Sequence, residues 1–230
     1  MRVKTQLYPS PYSSPPRGEE IWNYDMITIV DYNAGNIRSV LRACAEVGAE
    51  AKITSDPKAV SKAEKVIFPG VGAAPSAMEY LTKNGLDIAL KYVFKEGVPL
   101  LGICLGAQII LKESEEGPQK CLGLVPGRTV RFKLQDKSLK IPHMGWNEVK
   151  PVKPHPLLAG IKPGDEFYFV HSYYPQPANT ENVYAVTDYG GDFCCALGYK
   201  NLFAMQFHPE KSGRLGMEML ERFVKWEGHA

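Results

Sequence analysis

The chain reads as a single α/β domain: a mostly parallel sheet flanked by helices, with an additional antiparallel strand region in its C-terminal half. Three observations predict this. Short runs rich in Ile, Val and Leu alternate with amphipathic segments as far as about residue 111, the β-α-β-α rhythm of a parallel sheet covered on both faces. From about residue 120 the helical pattern gives way to short strand-like runs separated by Pro and Gly. No internal repeat or linker interrupts residues 26–230, and 230 residues is a prior of one domain, at most two.

The first 25 residues stand apart. Pro9, Pro11, Pro15 and Pro16 and a serine cluster between Ser10 and Ser14 leave no apolar periodicity. Such a segment buries too little surface to offset its ordering entropy, so residues 1–25 are expected to be a disordered extension. The folded domain is expected over 26–230. The extension lacks the apolar core of a secretory signal and the Arg-rich, acid-poor character of a transit peptide.

The elements follow in order. Met26–Asp31 is a buried strand. Asn36 is placed to cap a helix running to Val47, with Ile37, Val40, Leu41 and Cys44 on one face and Gly48 as its stop. Ala51–Thr54 is a second strand, and Asp56-Pro57 opens a short helix. Lys65–Pro69 is a third strand, ending in the glycine loop Pro69-Gly70-Val71-Gly72. Helices near Ala74–Lys83 and Leu86–Glu96 follow, the latter stopped by Gly97. Val98–Ile103 is a fourth strand that runs into Cys104. Later strands are expected at Thr129–Phe132, Glu166–Val170, Val183–Thr187, Phe193–Leu197 and Leu202–Gln206. A last helix over about Arg214–Trp226 turns Leu215, Met219, Leu220 and Phe223 inward.

Composition excludes several functions. Lys and Arg total 27 against 25 Asp and Glu, too balanced for nucleic-acid or anionic-membrane binding as a main role. No apolar run approaches the ~20 residues of a membrane helix. The five cysteines are odd in number and lack C-x-x-C spacing. That argues against a disulfide framework or zinc site and for a reducing, cytoplasmic setting. No metal or cofactor is expected.

The chemistry centres on Gly102-Ile103-Cys104-Leu105-Gly106. A strand before it and a helical run, Ala107–Leu111, after it make a nucleophile elbow with Cys in the reactive position. The turn forces Cys104 into a strained conformation, and small residues two before and two after let strand and helix approach. The helix N-terminus favours thiolate, and the Leu105 N–H is placed to donate to an oxyanion. Cys44 and Cys121 read as buried structural cysteines, and Cys194 and Cys195 as packed in a strand.

A cysteine nucleophile needs a base. His229 lies near the terminus and His155 in what reads as a surface loop between prolines. His143 and His171 sit in apolar or aromatic settings and read as satisfied core residues as readily as functional ones. His208 ends the strand Leu202–Phe207 and is followed by Pro209-Glu210. In an extended segment i and i+2 share a side, so Glu210 can hold one imidazole nitrogen while the other faces the thiol.

Taken together, Pro69-Gly70-Val71-Gly72, Gly102-Ile103-Cys104-Leu105-Gly106-Ala107-Gln108 and Gln206-Phe207-His208-Pro209-Glu210 resemble the class I, triad-type glutamine amidotransferases, with their flavodoxin-like fold. Asp31–Asn36, Pro142–Asn147, Phe169–Tyr173 and Gln206–Gly213 are similar to the glutaminase subunits of imidazole glycerol phosphate synthase. The likeness covers about residues 26–226.

The resemblance implies a glutaminase, part of a lyase-type synthase when paired. Cys104 would attack L-glutamine, His208 would shuttle protons and Glu210 would orient it. The oxyanion hole would be formed by Leu105 and by the Val71-Gly72 backbone. Gly72, Gln108, Glu116, His171, Ser172 and Tyr173 would bind the substrate, although Glu116 also reads as part of an ordinary polar loop. Ammonia would pass to a (β/α)8-barrel cyclase subunit in a heterodimer serving histidine biosynthesis, with Asn36 and Lys211 on the interface side. Their plainer readings are a helix cap and a surface lysine. Alternatives are a paralogous glutaminase feeding another synthase, such as one forming an amidino sugar, a cysteine hydrolase or peptidase, and a silent regulatory subunit.

Overall fold

The computed structural model describes residues 26–229; the extension expected over residues 1–25 lies outside them. Five parallel strands form one side of the main sheet: β1 (Ile27–Val30), β2 (Ala51–Thr54), β3 (Lys65–Gly70), β4 (Leu100–Cys104) and β14 (Leu202–Met205). Antiparallel β13 (Asp192–Tyr199), β12 (Val183–Asp188) and β9 (Lys150–Pro151) extend it, in the order β2-β1-β3-β4-β14-β13-β12-β9. Every residue of β1, β3, β4 and β14 is buried. That is why they read as continuous apolar runs and not as alternating ones.

Helices cover both faces. On one face α1 (Ile37–Glu46) and α6 (Gly213–Lys225) bury Val40, Cys44, Met219, Leu220 and Phe223 in one core cluster. On the other, α2 (Pro57–Ser61), α3 (Ala74–Lys83), α4 (Leu86–Lys95) and α5 (Leu105–Ile109) contribute Val60, Leu81, Leu90, Val93 and Ile109 to a second. The short α2 is held by Asp56, whose side chain accepts the Lys58 N–H at 2.9 Å, with Pro57 in the first turn. The outer face of α6 carries Glu–Lys and Glu–Arg pairs four residues apart.

Two smaller sheets complete the C-terminal half. β8 (His143–Glu148) pairs with β10 (Glu166–His171). The four-stranded sheet β11-β7-β5-β6 joins Tyr173–Pro177, Gly127–Arg131, Glu113–Ser114 and Gln119–Lys120. The antiparallel texture expected after residue 120 is present. Strands β8 and β11 lack the apolar alternation that would announce them, because Gly145 and Asn147 in the first and Pro175, Gln176 and Pro177 in the second interrupt it.

Three local expectations are corrected. His155 is not in an exposed loop: it is 6% exposed, stacked on Phe203 with centroids 4.1 Å apart, and its Nδ1 accepts the Leu157 N–H at 3.2 Å. Cys121 is only half-buried. The last parallel strand stops at Met205, and Pro209–Lys211 forms a 3-10 turn in place of an extended run.

Candidate active site

The parallel strands β3, β4 and β14 end at the same edge of the sheet, the edge where α/β proteins place their ligands. The register sets Gly70 beside Cys104 and Met205 beside Ile103. The Val71-Gly72 loop and the Gln206–His208 segment therefore leave the sheet on either side of the cysteine.

Cys104 has φ 54° and ψ −107°, a conformation that costs a non-glycine residue of order 1–3 kcal/mol and persists only where packing imposes it. The packing is visible. A Cβ on Gly106 would lie 1.9 Å from the Phe68 carbonyl oxygen, and one on Gly102 would lie 3.0 Å from the Ala204 Cβ. Those two glycines let α5 pull tight against β3 and β4, which turns the Cys104 side chain out over the strand end.

His208 is buried, and its Nδ1 sits 2.7 Å from Glu210 Oε1. Its backbone is tied on both sides: its N–H donates to the Tyr168 carbonyl at 2.9 Å, and its carbonyl accepts the Ser212 hydroxyl at 2.6 Å. The 3-10 turn brings Glu210 back under the imidazole, the contact that an extended geometry was expected to make. Burial alone would push the His208 pKa down. The charge of the neighbouring Cys104, and then the hydrogen bond and charge of Glu210, outweigh it and raise the imidazole well above its ordinary value. The Nε2 atom makes no strict hydrogen bond to a described residue, so Cys104 acts on it as a near neighbour rather than as a fixed ligand. The fold brings Cys104, His208 and Glu210 into one cluster.

A cavity of about 340 Å³ opens over Cys104. Val71, Gly72, Leu105, Gln108, Glu116, His171, Ser172 and Tyr173 all line it, with Pro142 and Val170. The two larger cavities, about 600 and 680 Å³, surround His155 and contain no cysteine. The first of them is lined by Asn201 and Leu202 at the start of β14, the opposite end of the sheet.

The lining groups are held by one another. The Gln108 side-chain NH2 donates to the Tyr173 carbonyl at 2.8 Å and to Gln206 Oε1 at 3.0 Å, and Gln206 Nε2 lies 3.7 Å from the Cys104 sulfur. Glu116 Oε2 accepts the Ala74 N–H at 2.7 Å. It thereby supplies the N-terminal cap that Ala73 cannot give α3. His171 Nδ1 sits 2.8 Å from the Tyr173 carbonyl, and its Nε2 sits 3.0 Å from His143 Nδ1. Burial pushes the His171 pKa down to about 3 and that of His143 to about 4, so both rings are neutral at pH 7. One tautomer set satisfies the chain: His171 donates to the carbonyl, His143 donates to His171, and Asn147 donates to His143 Nε2 at 3.2 Å. Among the described residues no group of His, Cys, Asp or Glu has the makings of a metal site.

Asn36 departs from its expected role as a cap. It has φ 74°, its side chain makes no capping bond, and its Nδ2 donates to Glu210 Oε1 at 2.5 Å. Lys211 is exposed, with Nζ 5.8 Å from the centre of the Tyr168 ring. Sequence reasoning missed the link from Asn36 to Glu210 and the part played by Gln206. The signal for Gln206 was its place two residues before His208 on the same strand end. No local pattern signals a contact spanning 174 residues.

Comparison with known proteins agrees with this architecture. The family model described as glutamine amidotransferase class-I matches residues 28–226. An imidazole glycerol phosphate synthase subunit HisH from Chromobacterium violaceum is 46% identical over 210 residues, covering 88% of this chain and 99% of the relative. The HisH subunit from Desulfovibrio desulfuricans is 50% identical over 206 residues, covering 87% and 94%. A chain of the solved PurLQS structure from Thermotoga maritima superposes with a TM-score of 0.66 at 19% identity, covering 88% of this chain and 98% of that one, and so speaks to the fold alone. The chain belongs to the class I glutamine amidotransferases and, within them, to the HisH family of imidazole glycerol phosphate synthase subunits.

Proposed function

We propose that this chain hydrolyses L-glutamine to glutamate and ammonia and hands the ammonia to a (β/α)8-barrel cyclase with which it forms a heterodimer in the cytoplasm. The observation that carries the reading is the strained Cys104 at the mouth of the cavity, with the buried His208–Glu210 pair behind it.

In this reading the Cys104 thiol gives its proton to His208 as the sulfur attacks the side-chain amide carbon of glutamine, and the carbonyl electrons move to oxygen. The N–H groups of Leu105 and of the Val71-Gly72 loop hold that oxyanion. Collapse breaks the C–N bond. His208 donates a proton to the leaving nitrogen, ammonia departs, and a glutamyl thioester remains. Water then gives its proton to His208 as it attacks the thioester, and the second collapse restores the thiol and releases glutamate. Glu210 keeps the imidazole oriented and stabilises its charged form.

Substrate recognition falls to Gly72, Gln108, Glu116, His171, Ser172 and Tyr173. Gln108 has both N–H groups engaged, so the group it offers to the cavity is its carbonyl oxygen, an acceptor suited to the α-ammonium of glutamine. Glu116 adds a carboxylate on the same lining. Asn36 and Lys211 are assigned to the side facing the cyclase. No described helix is long and apolar enough to cross a membrane.

The test is glutamate production with and without the cyclase and its ribonucleotide substrate. The reading expects hydrolysis to rise by orders of magnitude on adding both. Equal rates with and without them would overturn the assignment of partner and pathway.

A further inference from the structure

We infer that Asn36 is a positioning residue of the catalytic cluster, the fourth member of a relay running Cys104–His208–Glu210–Asn36. The inference rests on the function proposed for Cys104, His208 and Glu210, and adds to it a residue from the first helix of the fold.

Glu210 is a carboxylate whose side chain is fully removed from solvent. A carboxylate taken out of water needs hydrogen-bond donors to replace it. Its Oε1 takes the two bonds it makes, one from His208 Nδ1 at 2.7 Å and one from Asn36 Nδ2 at 2.5 Å, while Oε2 has no partner among the described residues. With the imidazole bond alone the carboxylate could rotate and present either oxygen. A second donor on the same oxygen fixes which one His208 meets.

The backbone of Asn36 fits that task. It sits at φ 74°, a left-handed conformation that Asn tolerates better than other side chains, and it forgoes the capping bond that Asn normally makes at a helix start. The helix it precedes packs against the turn that carries Glu210. The carboxamide is thus aimed away from its own helix and into the triad. Asn36 remains partly exposed, which distinguishes it from the sealed Glu210. Outside the relay, the titratable groups that act on it are His171, through His208, and Tyr32, through Cys104.

Two variants of the full-length chain test the role, with alkylation of Cys104 by iodoacetamide across pH and glutamine turnover in the cyclase complex as readouts. Asn36→Gly keeps the left-handed backbone and removes the donor. It should lower kcat roughly 10- to 100-fold, the worth of a hydrogen bond to a charged group, with KM little changed, and should slow Cys104 alkylation at neutral pH. Asn36→Asp keeps the shape but cannot donate until it is protonated. Its turnover and Cys104 alkylation, each taken as a ratio to wild type at the same pH, should fall at neutral pH and rise as the pH is lowered and the introduced carboxyl gains the proton it needs to donate.

A merely structural Asn36 would shift thermal stability and leave the variant-to-wild-type ratio the same at every pH. Folded variants that alkylate and turn over like wild type would overturn the inference. If Asn36→Gly does not fold, Asn36→Asp decides alone. If wild-type Cys104 is not the thiol alkylated, the assignment of the nucleophile fails instead, and the two failures are told apart by mapping the labelled peptide.

Discussion

Replacing Gly106 by alanine tests the elbow geometry directly. The new Cβ would lie 1.9 Å from the Phe68 carbonyl oxygen, where real contacts do not fall below 3.0 Å. That neighbour is backbone of a central strand, so it cannot swing aside. The start of α5 must therefore retreat by about 1 Å, and Cys104, two residues upstream, must move with it; a displacement of that size costs about a hundredfold in rate. The overpacking itself should cost about 1–3 kcal/mol of stability. Gly102→Ala is the internal control. Its Cβ would meet the Ala204 Cβ at 3.0 Å and the Ala107 nitrogen at 3.3 Å, contacts that a few tenths of an ångström relieve, so its rate loss should stay below about tenfold. Denaturant unfolding and glutamine turnover in the presence of the cyclase read both quantities. Gly106→Ala turning over as fast as Gly102→Ala, or faster, would refute the claim that strand–helix contact positions the nucleophile.

Other outcomes follow from the same structure. Cys104→Ser should abolish glutamate formation while leaving the circular dichroism spectrum and the melting temperature near wild type. Gly72→Ala meets no atom within 4 Å but sits at φ 116°, so backbone strain alone should cost about 1–3 kcal/mol, seen in denaturant unfolding and in a slower turnover. Glu116→Ala removes the acceptor of the Ala74 N–H and should destabilise the chain by about 1 kcal/mol, whereas Glu116→Gln keeps an acceptor and should cost less. Stability should also fall in acid through His143 and His171. Their folded pKa values are about 4 and about 3, below the ordinary 6.5, so the unfolded chain takes up protons first as the pH drops below 6.5. Their contribution is complete above 6.5 and declines towards the folded values by up to about 1.4 kcal/mol per pH unit for each ring. His208, raised instead, contributes stability that is complete below 6.5 and lost only as the pH rises through its folded value. Urea unfolding of wild type and His143→Gln between neutral and acid pH should show the smaller slope in the variant.

Much of the first half of the fold was legible because its signals are local. Fully buried strands make unbroken apolar runs, and glycines and Asp56-Pro57 punctuate the helices. The elbow was legible for the same reason: Gly102, Cys104 and Gly106 are a few residues apart, and the constraint acts over that distance. The turn at Pro209–Lys211 was misread as extended, although the partner it gives His208 was the one expected, since a proline between the two residues fits either geometry. His155 looked exposed because prolines flank it, and tertiary packing against Phe203, Tyr184 and Trp226 buries it. Asn36 was misread for a related reason. Its place before an apolar helical face is a capping signal, and its actual partner lies 174 residues away. Glu116 likewise caps a helix that begins 42 residues earlier. Sequence carries propensity and short-range pattern well and carries such distant pairings hardly at all.

The most direct test of the central claim is the covalent intermediate. The full-length chain, mixed with glutamine in the presence of the cyclase and quenched in acid, should show by mass spectrometry one added glutamyl group. Peptide mapping should place it on Cys104, and the Cys104→Ala chain should carry none. A glutamyl group on Cys44, Cys121, Cys194 or Cys195, or undiminished glutamate formation by Cys104→Ala, would contradict the account.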